Sequence, residues 1–235
     1  MKSDKLPVEY KEARTLKYFF HRQIWSLFAV LILVPITWSF AIPVMGEGSW
    51  MGITDITWFW FAVGVPIVHQ VVVWIVFRGQ LGWGFLTKLF GKYDLLVWAI
   101  VFLPFLIARV IIILGLARSS SNTLALPQNI AFSIGFILAI PAIYTLWSVF
   151  RYFGLIRALG ADHFRLSYRK MPLVKEGIFR FSSNSMYSFA FLLLWSIALF
   201  QGSQPALIVA IFQHAYIWVH YFCTEKPDME IIYPD

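Results

Sequence analysis

The sequence predicts an all-α chain, a polytopic integral membrane helical bundle of about six transmembrane helices that ends in a helical hairpin. Two observations carry this. Of 235 residues, 60% are hydrophobic and only 13% are charged, with mean hydropathy +0.72. A soluble domain is about half apolar and a quarter charged, and a soluble surface cannot be built with so little charge. The apolar residues also fall in runs that approach or exceed the about 20 residues a helix needs to cross a bilayer. A membrane barrel would instead show segments of about ten residues with alternating polarity, and these runs are continuous.

The predicted spans are 24–44, 57–77, 95–116, 127–150, 186–200 and 205–222. The third contains Arg109 and the fourth Pro141; proline is tolerated in such helices where neighbours satisfy the freed carbonyl. The fifth run is short enough to suggest a re-entrant segment. Gln201-Gly202-Ser203-Gln204 separates the last two runs and predicts a tight helical hairpin. The first run is too long, and starts too far into the chain, to read as a cleaved signal peptide. Cys223 is the single cysteine, so no internal disulfide can form.

Basic residues fall on one side of this topology. Lys2, Lys5, Lys11, Arg14, Lys17 and Arg22 precede the first span; Arg78, Lys88 and Lys92 lie between the second and third. Arg151, Arg157, Arg165, Arg169, Lys170, Lys175 and Arg180 lie between the fourth and fifth, and Lys226 follows the last. Only Arg118, on the opposite side, and the intramembrane Arg109 stand apart from this pattern. Basic loops stay cytoplasmic, which predicts a multi-pass protein with both termini cytoplasmic. The basic face also suits contact with anionic membrane lipids. No zinc-ligand spacing, phosphate-cradling glycine loop or Ser/His/Asp order is present, and the basic residues sit too close to the bilayer for nucleic acid to be the expected partner.

One polar stretch interrupts the apolar pattern, Lys175-Glu176-Gly177-Ile178-Phe179-Arg180-Phe181-Ser182-Ser183-Asn184-Ser185-Met186-Tyr187. Downstream, the chain closes on Thr224-Glu225-Lys226-Pro227-Asp228-Met229-Glu230-Ile231-Ile232-Tyr233. With Leu173-Val174 in front, these two stretches flank the final hairpin. The arrangement, over 154–233, resembles the C-terminal core of the membrane-embedded phospholipid and isoprenylcysteine methyltransferases. The wording is nearest the phosphatidylethanolamine N-methyltransferase branch. Ser185 stands where the motif has proline, Ser188-Phe189 follows Tyr187 where a small residue is usual, and Thr224 replaces the first glutamate of a pair.

The resemblance implies two regions: 1–126, the first three membrane helices, and 127–235, a methyltransferase-like core with a cytoplasmic cofactor notch. It implies S-adenosyl-L-methionine as methyl donor and a phospholipid amine or other lipid-anchored group as acceptor. Leu173, Val174, Phe179, Arg180, Asn184, Ser185, Met186, Tyr187 and Glu225 are the implied cofactor-binding residues. Glu225 and His163 are the candidate catalytic groups, His163 as a base in a loop read as exposed. On a helical wheel His214, Trp218, Tyr221 and Glu225 lie within about 60°, with His214 about 16 Å deeper than Glu225. Ser183, Asn184 and Ser185 also read as N-caps of the fifth helix. His214, His69 and Arg109 are ionisable groups at membrane depth, where function and satisfaction by a neighbouring helix are both open.

Three other readings stand beside this one. A non-catalytic family member is compatible with Ser185 and Thr224. Sterol-reductase-like enzymes share a similar C-terminal hairpin. A transporter would place broken or charged helices at the midplane.

Overall fold

The structure is a computed structural model that describes residues 9–234; Lys2 and Lys5 of the predicted basic face lie outside the described residues. The first helix among the described residues is a short turn, α1 (Leu16–Phe19), followed by α2 (Gln23–Ala41) and α3 (Asp55–Trp83). Helices α4 (Phe85–Phe90), α5 (Asp94–Ser119) and α6 (Gln128–Ser148) follow. After the short α7 (Leu155–Ala158) and α8 (Leu166–Arg169), the chain closes with α9 (Leu192–Phe200), α10 (Gln204–His220) and α11 (Lys226–Ile232). A two-stranded antiparallel ribbon, β1 (Ser49–Trp50) and β2 (Ile53–Thr54), joins α2 to α3.

Five helical stretches are long and apolar enough to cross a membrane: Leu16–Val44, Asp55–Trp83, Phe85–Ser119, Gln128–Phe153 and Gln204–Ile232. The remaining predicted span, Met186–Phe200, is helical but shorter. The predicted spans all coincide with these helices. The hydropathy runs did not reveal α4, which folds against the start of α5: Gln80 Nε2 donates to Thr87 Oγ1 at 2.7 Å, and Thr87 Oγ1 donates to Asp94 at 2.5 Å. Arg165, from the loop after α7, closes this network on Asp94.

Apolar side chains cover the outside of the outer helices. Leu27, Phe28, Leu31, Ile32, Ile36 and Phe40 of α2 are all exposed, as expected where lipid rather than water is the solvent. The interior joins α3, α5, α9 and α10 around Phe59, Ile113, Leu116, Tyr216 and the fully buried alanines Ala62, Ala117, Ala198, Ala206 and Ala210. Small residues let helix backbones approach closely, which is how membrane helices associate when apolar burial gives no advantage.

The predicted hairpin is present. Gly202 adopts φ +58, a left-handed conformation that favours glycine, and Ser203 caps α10 by accepting from Ala206 N–H at 3.2 Å. The preceding loop is stitched to it: Asn122 N–H donates to Gln201 O at 3.1 Å, and Ser120 and Ser203 hydroxyls lie 2.8 Å apart. These contacts fix the end of the bundle opposite the polar stretch.

Candidate functional site

Three helices turn π-helical at the same end of the bundle. Val149–Phe153 terminates α6, Met186–Ala190 leads into α9, and Tyr221–Glu225 links α10 to α11. A π-turn widens the helix by one residue and re-aims its side chains; such turns occur frequently at functional sites.

Two of these turns meet. Tyr187, in the second, donates its hydroxyl to the Glu225 carboxylate, at the end of the third. Trp218 and Tyr221 pack on the Tyr187 ring at 6.0 and 5.7 Å between centroids. Deeper in the bundle, Phe191 and Trp195 meet His214 at 5.6 and 5.9 Å. The stripe His214, Trp218, Tyr221 and Glu225 therefore faces the opening turns of the fifth predicted span.

The polar stretch folds as a single-turn helix, Gly177–Arg180, docked on α6. Gly177 has φ +57, and a Cβ there would lie 2.6 Å from Ser148 Oγ. The close approach lets Ile178 N–H donate to Ser148 Oγ at 3.1 Å. Beside this turn a cleft of about 450 Å³ is lined by Leu173, Val174, Lys175, Phe179, Arg180 and Ser183. Phe179 is buried and stacks on Phe153 at 5.1 Å.

The sequence-predicted cofactor residues thus form two groups. Leu173, Val174, Phe179 and Arg180 share the cleft; Tyr187 and Glu225 form the hydrogen-bonded pair and do not line it. The residues between have structural contacts. Met186 packs with Val149, Ile178 and Phe179. Ser185, in the motif proline's place, is fully buried and directs its hydroxyl at Ile178 O (3.0 Å) and Ser182 O (2.5 Å). Asn184 starts the helix with its backbone: its carbonyl accepts from Tyr187 and Ser188 N–H at 3.0 and 3.1 Å. The expected side-chain cap is corrected here. Ser182, not residues 183–185, supplies the turn's hydroxyl acceptor, to Asn184 N–H at 3.1 Å.

Behind Glu225 lies a set of contacts the sequence reading missed. A π-turn leaves carbonyls without their usual α-helical partners, and residues of the first two spans supply donors. Arg78, fully buried, donates to Cys223 O at 3.1 Å and Thr224 O at 3.4 Å. Gln23 donates to Cys223 O and to Thr224 Oγ1, and Arg22 to Phe222 O at 3.1 Å. Arg78 also forms an ion pair with Asp228, whose Oδ1 accepts from the Tyr18 hydroxyl at 2.7 Å. A buried arginine at the end of a span was the available signal, but its partner lay 150 residues away in sequence.

His163 belongs to this cluster, which corrects the expectation of an exposed loop histidine. Its ring is fully buried, stacks on Phe77 at 3.9 Å, and lies 3.2 Å from Asp162 and 3.4 Å from Asp228. Burial opposes its charge, but the hydrogen bond to Asp162 and the nearby Asp228 carboxylate prevail and raise its pKa to about 9. A ring that holds its proton at neutral pH and has no solvent access is poorly suited to take one from an acceptor. Asp162 is partly buried, which opposes its charge, yet the hydrogen bond and charge of His163 hold its carboxyl below the usual range. The Arg169 guanidinium covers the Tyr10 ring at 4.6 Å and donates to Asp162 O at 2.5 Å. No group of three or more potential metal ligands occurs among the described residues.

No curated protein and no solved structure matches the chain. The family model described as Phospholipid methyltransferase matches residues 130–235, from the start of α6 through the polar turn, the hairpin and the closing motif. Over residues 130–235, somewhat less than half of its length, this polytopic bundle is therefore similar to the phospholipid methyltransferase family.

Proposed function

We propose that this chain is an integral membrane S-adenosyl-L-methionine-dependent methyltransferase whose acceptor is a phospholipid amine or another lipid-anchored nucleophile. The observation that carries the reading is the Tyr187–Glu225 hydrogen bond, which joins both motif elements inside the family-matched region. The reading places the site in a cytoplasmic notch of 127–235, with 1–126 as supporting helices and both termini cytoplasmic.

The residues present fit the donor. A cleft of about 450 Å³ lies within the roughly 300–1,000 Å³ of small-molecule sites. Leu173, Val174 and Phe179 offer apolar surface to adenine, and Arg180 and Lys175 offer cations to a carboxylate. Glu225 is placed to accept from an ammonium or a ribose hydroxyl, with Asn184, Ser185 and Met186 shaping the backbone between the two groups. When bound, the donor supplies an electrophilic methyl on a sulfonium. Alignment of the reacting atoms then accounts for much of the rate, up to about 7–11 kcal/mol.

An acceptor amine has an ordinary pKa near 10.4, so it must lose a proton before its lone pair can form the new N–C bond. The C–S electrons remain on sulfur as that bond breaks. Glu225 is our candidate proton acceptor; His163, enclosed by Asp162 and Asp228, is assigned to positioning the closing segment.

A non-catalytic family member is the second reading. It is favoured by the structural use of the two motif departures, Ser185 in a buried turn and Thr224 as a partner of Gln23. Methyl-labelled donor incubated with the purified protein in mixed phospholipid vesicles separates the two. Label in the lipid extract supports the enzyme. Label only in a water-soluble product rejects the lipid acceptor, and donor that neither binds nor transfers selects the non-catalytic reading.

A further inference from the structure

The bundle interior holds a cation that the protein leaves without a counter-charge. Arg109 of α5 is 4% exposed, and its guanidinium lies over the Phe191 ring at 5.7 Å. Among the described residues no carboxylate comes within ion-pair distance of it, and its Nε has no hydrogen-bond partner. His69 of α3 stacks on Phe105, about one turn before Arg109 on α5, at 5.2 Å. Both His69 ring nitrogens, both polar atoms of the Gln70 amide and Gln213 Oε1 are buried and unpartnered. His69, Tyr216 and His220 lie within electrostatic reach of Arg109.

Such an arrangement is costly unless something completes it. A buried charge normally has a paired, hydrogen-bonded partner, and an ionisable group at membrane depth marks a functional position by default. Water could satisfy hydrogen bonds but would not neutralise the guanidinium. An oxyanion would do both, because the guanidinium fork matches phosphate and carboxylate geometry.

We propose that Arg109 binds the phosphodiester of an amine-bearing phospholipid and thereby positions its amine for reaction; this rests on the methyltransferase reading above. The spacing supports it. Phe191, beneath the guanidinium, follows Tyr187 by four residues through the π-turn, at most about 6 Å along the axis. Four bonds separate phosphorus from nitrogen in an ethanolamine headgroup, about 5 Å end to end with bond lengths like those of the peptide chain. A headgroup whose phosphate meets Arg109 can therefore present its nitrogen near the Tyr187–Glu225 pair. Arg109, His69 and Gln70 lie outside the family-matched region, so this specificity would come from the first three membrane spans.

The experiment is calorimetric titration of the full chain in an uncharged detergent with dihexanoylphosphatidylethanolamine, dihexanoylglycerol and S-adenosyl-L-methionine. The phosphate-bearing lipid should bind the unaltered protein at least tenfold more tightly than dihexanoylglycerol. Arg109→Gln should lose at least tenfold in affinity for that lipid, Arg109→Lys should lose less because it keeps the charge without the fork, and donor affinity should hold in both. Equal binding of the two lipids overturns the proposal without any variant needing to fold. Loss of donor rather than lipid affinity in Arg109→Gln also overturns it, and identifies the anion as the donor carboxylate. Lipid binding that follows the expected pattern while the donor does not bind would support the phosphate site and reject the methyltransferase reading.

Discussion

The Tyr187 hydroxyl and the Glu225 carboxylate, 38 residues apart, meet in one hydrogen bond between two π-turns. Neither turn alone would form a site. Tyr187 is set by the Gly177–Arg180 turn and Ser185, whereas Glu225 is set by Arg78, Gln23 and Arg22 from helices outside the family-matched region.

Tyr187→Phe removes the donor to Glu225 and leaves the ring packing in place. A half-buried carboxylate that loses its hydrogen bond should cost about 1–3 kcal/mol. Thermal unfolding in detergent should show the destabilisation, and titration with S-adenosyl-L-methionine should show about tenfold weaker binding. Unchanged donor affinity would remove this pair from the site.

Arg78→Met should be among the most destabilising single changes. It strands Asp228 in the interior and removes donors from the carbonyls of Cys223 and Thr224. Breaking one partner of a buried pair typically costs about 3–5 kcal/mol. Adding Asp228→Asn should recover part of the loss, because the stranded charge is gone. A double variant no more stable than Arg78→Met would show that the carbonyl contacts, not the ion pair, carry the effect.

The histidine cluster predicts a pH dependence. His163 titrates near 9 in the folded protein, above its ordinary value of 6.5. The stabilisation is therefore complete below about pH 6.5 and is lost as pH rises through 9. Asp162 has the opposite sign: its contribution is present above its ordinary value of 3.8 and lost as pH falls through its lowered folded value. Midpoints measured from pH 6 to 10 should fall, and His163→Gln should flatten that fall. A profile equally steep in the variant would place the titration elsewhere.

The sequence made the spans legible because each is a continuous apolar run, and the 201–204 hairpin legible because glycine and serine punctuate it. The family resemblance and the helical stripe assigned the 173–187 stretch and Glu225 to one cofactor site, but the hydrogen bond between Tyr187 and Glu225 was not read from the sequence. The Arg78 cluster was not legible: it depends on which spans become neighbours, and apolar composition carries no such information. His163 was misread for the same reason, since a polar loop resembles an exposed one until Phe77 and Asp228 are brought against it. The α4 segment was too short for hydropathy to distinguish from a loop.

Ser185 allows the family's own residue to be tested in this fold. Its φ of −56 lies within proline's range of about −65 ± 15°, so Ser185→Pro fits the backbone at that position. The change loses the hydroxyl shared by Ile178 O and Ser182 O, while Ile178 O keeps a second donor, Phe181 N–H at 3.1 Å. Losing one neutral hydrogen bond costs about 1 kcal/mol, and proline at a compatible site returns about 0.4–1 kcal/mol by restricting the unfolded chain. Ser185→Ala loses the bond without that return. Ser185→Pro should therefore unfold at a higher temperature than Ser185→Ala and close to the unaltered protein. A proline variant less stable than the alanine variant would mean that this turn has diverged from the backbone geometry that accommodates the motif proline.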